Sequence, residues 1–304
     1  MSERAQLRAD KPVGEALAAV ARHNIAGAVA VLDDRRRSET TAVHDLRKAL
    51  KRWRALLRLL ESDLGDEAQT LRLEARDLAR SLASAREPRS ALDALADLGD
   101  PPEGLSPRTH ATIKDRLEDL RRAGEAATLT DDARQRLCTA LARVEKRIER
   151  WPLDHIDGPA IAARLTDTYR RVRRAMPQDW SAASPEELHE LRQRVVAHRD
   201  QMELIEPWWP KLGKVWVGEA QKLRERLGSY QDLVVLAGFT AANAPLAHWR
   251  ARLAPAIAAQ QKAHLAVAKR IAGRLFAEKP RAFRRRITAL WAGGAASASR
   301  RSFQ

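Results

Sequence analysis

The chain has 304 residues, 44% hydrophobic and 31% charged, a balance that supports a folded core and excludes an intrinsically disordered chain. A formal net charge of +15 and a pI near 10.7 call for an acidic partner: nucleic acid, anionic lipid or polyphosphate. A single cysteine, Cys138, excludes an internal disulfide and fits a reducing compartment. The opening MSERAQLRAD has no apolar h-region, and no stretch approaches 18 uncharged apolar residues. The expectation is a cytoplasmic protein, neither secreted nor inserted in a membrane. Aromatics at 5% with abundant Ala, Leu, Arg and Glu favour helices throughout.

In chain order, Pro12 stands at the N1 position of a first helix whose apolar pattern runs through Val31 and Leu32. The polar run 33–41 (DDRRRSETT) is a loop, with Thr40 and Thr41 as candidate caps for the next helix. That helix reaches about Glu61, Gly65 marks a short connection, and another helix extends to about Arg86. Pro88 opens a shorter one ending near Leu98, and 99–107 (GDPPEGLSP) is the clearest break of the first half. Helices near 108–123 and 131–150 complete that half, with Asp131 or Asp132 as a cap. Trp151-Pro152 and Gly158-Pro159 mark a junction. Beyond it lie helices near 159–176 and 185–206, the second opened by a Ser184/Glu187 capping box with Pro185 at N1. Pro207 and Pro210 bracket a turn before helices near 211–227, 230–242, 245–276 and 280–291, and the segment 293–304 is expected to fray. No strand-period segment bounded by hairpin turns occurs, so the expected class is all-α.

The second of these helices carries the most informative pattern. At about 100° per residue, His44, Arg47, Lys51, Arg54 and Arg58 fall in a stripe roughly 80° wide. Beside it Val43, Leu46, Leu50, Trp53, Leu57 and Leu60 form an apolar seam. An offset of 145 residues carries His44 onto His189, Arg47 onto Arg192 and Arg54 onto Arg199. The same shift takes the seam to Leu188, Leu191, Val195, His198, Met202 and Ile205, and 78–87 onto 223–232 without a gap. This register reads as an internal duplication. The copies are unequal: Val196, Ala197 and Glu203 stand where the first has Lys51, Arg52 and Arg58.

The remaining basic runs, Arg121-Arg122, Arg170-Arg171, Arg173-Arg174 and 284–286, have no internal counterpart and read as solvated faces. Trp53 lies on the seam, and the other tryptophans near helix ends read as packing residues rather than as a base-stacking platform. Glu87 and Asp232 are expected to cap the helices after them. Phosphate-loop, zinc-protease, paired-cysteine and nucleophile-elbow motifs are all absent, so neither catalysis nor a metal or cofactor is expected.

His44-x-x-Arg47 followed by Lys51-Arg52-x-Arg54 resembles the opening signature of CHAD domains, the conserved-histidine α-helical domains. His189-x-x-Arg192 followed by Arg199 is similar to that family's second signature, and Leu227-Gly228 ahead of Asp232 looks like its hinge. Arg86-Glu87 occupies the matching place in the first half, where the family more often has Arg-Asp. The resemblance implies two pseudo-symmetric helical bundles, about 11–153 and 154–292, forming a single domain over 1–292 around a basic central pore or groove. It also implies non-catalytic binding of inorganic polyphosphate, with association to polyphosphate granules as an extension. Carried onto this sequence, the site would comprise His44, Arg47, Lys48, Lys51, Arg52, Arg54, Arg58, His189, Arg192, Arg199 and Lys222. The histidines have a structural alternative, as donors to a backbone carbonyl. The rival functional reading is a sequence-independent nucleic-acid-binding or adaptor protein that uses the same basic surface.

Overall fold

Twelve α-helices and two short 3₁₀ turns form the regular structure of the residues described by the computed structural model, 5–82, 86–124 and 129–301. No strand occurs among those residues. In chain order they are α1 (Val13–Asp33), α2 (Glu39–Leu59), α3 (Glu61–Leu64), α4 (Asp66–Ser81), α5 (Arg86–Asp97) and α6 (Pro107–Gly124). Then come α7 (Asp131–Ile148), α8 (Gly158–Ala175), α9 (Pro185–Leu204), α10 (Pro210–Phe239), α11 (Arg250–Leu275) and α12 (Pro280–Arg301).

The helix starts follow capping chemistry; Pro12 is the N-cap residue of α1 rather than its N1, and two caps shift from expectation. Ser38, not Thr40 or Thr41, caps α2: its hydroxyl accepts from the Thr41 amide at 3.3 Å. Both threonines already lie inside the first turn. Thr130 caps α7 by accepting from the Ala133 amide, which leaves Asp131 and Asp132 in the first turn, where the helix dipole favours acids. Ser184 and Glu187 form the expected reciprocal box on α9, at 3.1 and 2.8 Å.

α2 is the pivot of the larger core. It packs on α1, α4, α8 and α9, and α9 in turn packs on α8 and α10. Leu46, Leu50, Trp53, Leu57 and Leu60 are all buried, as are Leu188, Leu191, Val195, His198, Met202 and Ile205 on the other seam. The buried Gln201 amide donates to the Ala55 carbonyl at 2.9 Å, locking α9 to α2. Burial of the seam fixes the rotation of α2 about its axis and therefore where its cationic stripe points. Truncating Leu50 or Leu57 to Ala would cost about 2–5 kcal/mol.

A smaller core joins α5 and α6 to the far ends of α10 and α11 through Leu95, Ile113, Leu117, Leu236 and Ile257. Both cores therefore draw on residues from either side of the 151–159 junction. α10 runs unbroken for 30 residues, where two helices separated at Gly228 were expected. Gly228 is buried inside it, and packing against α9 outweighs the weak helix propensity of glycine. α12 continues past Gly293 to Arg301. α1 is long and apolar enough to cross a membrane by length and composition; in this fold its apolar residues pack on α2 and α7.

Candidate anion-binding surface

The signature residues of α2 divide by depth. His44, Lys48 and Lys51 are exposed, while Arg47, Arg54 and Arg58 are half-buried. Arg47 reaches the end of α4, where its Nη1 donates to the carbonyls of Ala79 at 2.9 Å and Leu82 at 3.4 Å. Ala79 lies in the last turn of α4 and Leu82 is its C-cap residue, so the guanidinium acts as a C-terminal cap.

Arg54 and Arg58 face other arginines. Burial holds the Arg54 guanidinium below its ordinary range, and Arg72, Arg76 and Arg80 add repulsion. Arg58 is pushed down to about 10, first by burial and then by Arg72, Arg54 and Arg171, with Glu61 opposing. Neither Arg54 nor Arg58 forms an ion pair among the described residues. The carboxylates at the rim are already engaged: Glu61 holds Arg72 at 2.8 Å and Arg171 at 3.6 Å, and Asp77 holds Arg76 at 3.2 Å and Arg80 at 3.8 Å. Six arginines from α2, α4 and α8 thus gather around Glu61 and Asp77.

The α4 contribution was not foreseen, although a signal was present. Arg72, Arg76 and Arg80 recur at i, i+4 and i+8, one helical face spanning about 12 Å. Arg171, expected on a solvated face, is exposed and stands at the rim of this cluster, 3.6 Å from Glu61. Arg173, also expected in solvent, donates to the carbonyls of Phe276 and Glu278.

The second half is organised differently. The Arg192 guanidinium lies over Gly228, and His189 is half-buried on the same helix. Arg199, the counterpart of Arg54, is held by Asp200 at 3.1 Å and by the Gln221 side-chain oxygen at 2.6 Å. Where α4 has Arg72, Arg76 and Arg80, the 145-residue shift gives Val217, Gln221 and Glu225. The cluster around Glu61 and Asp77 therefore draws on α2 and α4 of the first half, with Arg171 from α8, and the equivalent positions of the second half do not repeat it.

Two predicted residues lie elsewhere. Arg52 sits about 160° around α2 from Arg54 and lines a small pocket with His23, Asn24, Asp200 and Glu203. Lys222 lines a cleft between α10 and α11, and its ammonium meets Glu219 at 2.7 Å. Asp232 lies inside the continuous α10, so it caps no helix, whereas Glu87 does stand in the first turn of α5.

The aromatic residues chiefly pack. Trp53 stacks on Trp151 with centroids 5.7 Å apart, and Trp208 meets Trp291 edge-on. A methyl at Gly158 would overlap the Trp291 ring, which is half-buried. Among the described residues the exposed large apolar side chains are Leu73, Trp209 and Val215. Cys138 packs at the edge of the core, and burial, then Asp33, pushes its thiol pKa upward.

An all-helical chain with a crowded guanidinium face on α2 and α4 is a scaffold suited to holding a polyanion. The family model for the CHAD domain matches residues 15–241, and the chain belongs to that family. Among solved structures it is similar to the crystal structure of the CHAD domain from the plant Ricinus communis, with a TM-score of 0.59 and 20% sequence identity. That match covers 91% of this chain and 96% of the plant one. No curated protein sequence matches the chain.

Proposed function

We propose that this protein is a non-catalytic binder of inorganic polyphosphate, with the α2–α4–α8 arginine cluster as its principal contact. One observation carries the reading: Arg54 and Arg58 are held half-buried among Arg72, Arg76, Arg80 and Arg171 without ion pairs of their own. Such crowding raises the energy of the free protein, and a polyanion relieves it. Guanidinium groups donate two parallel hydrogen bonds to phosphate oxygens, which suits a ligand with charge at every repeat and no bases to read. Counterion release supplies further affinity, as it does for nucleic acids.

In this proposal the halves are duplicated arms on either side of a shared basic hollow. His44, Lys48 and Lys51 extend the first arm, and His189, Arg192 and Arg199 line the second. The protein would act in the cytoplasm, with granule association following from the same affinity. Titration with polyphosphates of graded length, with ATP and duplex DNA as controls, tests the reading. Polyphosphate should displace DNA at lower charge-matched concentration, and an Arg54→Gln/Arg76→Gln double variant should lose most binding while remaining helical. Equal competition by DNA would favour sequence-independent nucleic-acid binding instead.

A further inference from the structure

A second concentration of positive charge lies between α10 and α11, in a cleft of about 550 Å³. Lys222 and Arg226 face it at i and i+4 on α10, and Arg270 and Arg274 face it at i and i+4 on α11. The Ser229 hydroxyl adds a donor, and Val267 and Ile271 form the apolar part of the lining. The helices α2, α4 and α8 contribute nothing to this lining.

Some exposed arginines elsewhere are neutralised within a turn, as in Arg122–Asp119, Arg170–Asp167 and Arg194–Glu190. Among the described residues Arg226, Arg270 and Arg274 form no ion pair. The two carboxylates present are already engaged: Glu219 holds Lys222 at 2.7 Å, and Glu225 accepts from the Gln221 amide at 2.5 Å.

Arg226 is also positioned from beneath. Its Nη1 lies 3.5 Å from Nδ1 of His264, a ring only 2% exposed. Arginine only donates, so Nδ1 is the acceptor and Nε2–H donates to Asp97 at 2.5 Å. A buried chain from α5 through α11 therefore steadies a guanidinium at the cleft. Arg270 and Arg274 lie beyond residue 241, where the family model stops.

We infer that this cleft is a separate anion site for a compact oligophosphate group, of the pyrophosphate or tripolyphosphate class, whether free or carried by a nucleotide. Four cations against two engaged carboxylates suit a short multiply charged group better than a long strand. The site is independent of the arginine cluster on α2 and α4.

The test is calorimetric titration of the full chain with tripolyphosphate, pyrophosphate and ATP at near-physiological salt. Arg270→Gln/Arg274→Gln, both exposed positions, should weaken tripolyphosphate binding about tenfold or more and change long-chain polyphosphate binding less than about twofold. Arg226→Gln should weaken it likewise, and Arg54→Gln/Arg76→Gln should show the converse pattern. ATP binding at least as tightly as tripolyphosphate would identify a nucleotide as the source, and weaker ATP binding a free oligophosphate. Tripolyphosphate affinity left intact by the cleft variants, or lost only in Arg54→Gln/Arg76→Gln, would overturn the inference.

Discussion

The guanidinium of Arg192 lies so close to Gly228 that a Cβ there would meet its Nε and Nη2 at 3.4 Å. Its counterpart Arg47 donates to Ala79 and Leu82, which the 145-residue shift places on Arg224 and Leu227. Both signature arginines therefore reach the same stretch of the following helical segment. In the first half that helix ends at Ser81, and in the second it continues through Gly228.

Substitution at Gly228 separates helix propensity from arginine placement. Gly228→Ala adds a methyl at ordinary contact distance and should stabilise the helix by about 1 kcal/mol. Gly228→Val places further methyl groups where the guanidinium lies and should destabilise by about 1–3 kcal/mol. Urea midpoints measure both effects. A valine variant as stable as wild type would show that Arg192 moves aside freely.

Arg47→Ala should lower stability by about 1–2 kcal/mol, because the last carbonyls of α4 lose a charged donor. Weaker polyphosphate binding in that variant would then mix lost contact with a loosened α4. Thermal unfolding with and without ligand distinguishes the two, and an unchanged melting temperature would refute the capping role.

Arg54→Gln and Arg58→Gln should behave in the opposite way. Each removes a half-buried charge surrounded by like charges, so the free variant should melt about 2 °C or more above wild type. Polyphosphate should then stabilise wild type more than either variant. A lowered melting temperature in the free protein would mean that these arginines serve packing first.

Much of this organisation is legible in the sequence. Both apolar seams are buried as their periodicity requires, except for the half-buried Val43, and the Ser184/Glu187 box opens α9. The continuity of α10 is not legible because glycine is a weak helix former locally, whereas packing of α10 on α9 carries the helix through Gly228. Arg52 could have been set apart from the stripe by helical angle alone. The α4 ladder has its own i, i+4 signal in Arg72, Arg76 and Arg80, but it has no counterpart at the 145-residue shift. Lys222 could not have been separated, because its cleft depends on how α11 returns onto α10. The burial of Trp291 rests likewise on a close approach to Gly158, distant in sequence.

Salt dependence measures how many cations touch phosphate. By analogy with single-stranded nucleic acids, each contact adds about 0.7 to the slope of log affinity against log salt. Arg76→Gln should therefore reduce that slope by about 0.7, whereas Arg122→Gln, paired with Asp119 on α6, should leave it unchanged. Equal slopes in the two variants would remove Arg76 from the interface.

His198 should make the protein acid-sensitive independently of any ligand. The ring is fully buried among Tyr169, Phe276 and Phe283, and its Nε2 accepts from the Trp216 indole at 3.1 Å. Burial, and then the charge of Arg286 stacked 4.7 Å over Trp216, pushes its pKa down to about 3 from 6.5. Between those values the unfolded chain holds a proton that the folded chain refuses, so stability falls as pH drops through that window and is fully present above it. From pH 7.5 to 5 this group alone should remove about 2 kcal/mol. His198→Gln keeps an acceptor for Trp216 but does not titrate, so its urea midpoint should decline less steeply with acid than that of wild type. Parallel declines would mean that the folded protein admits the proton at His198.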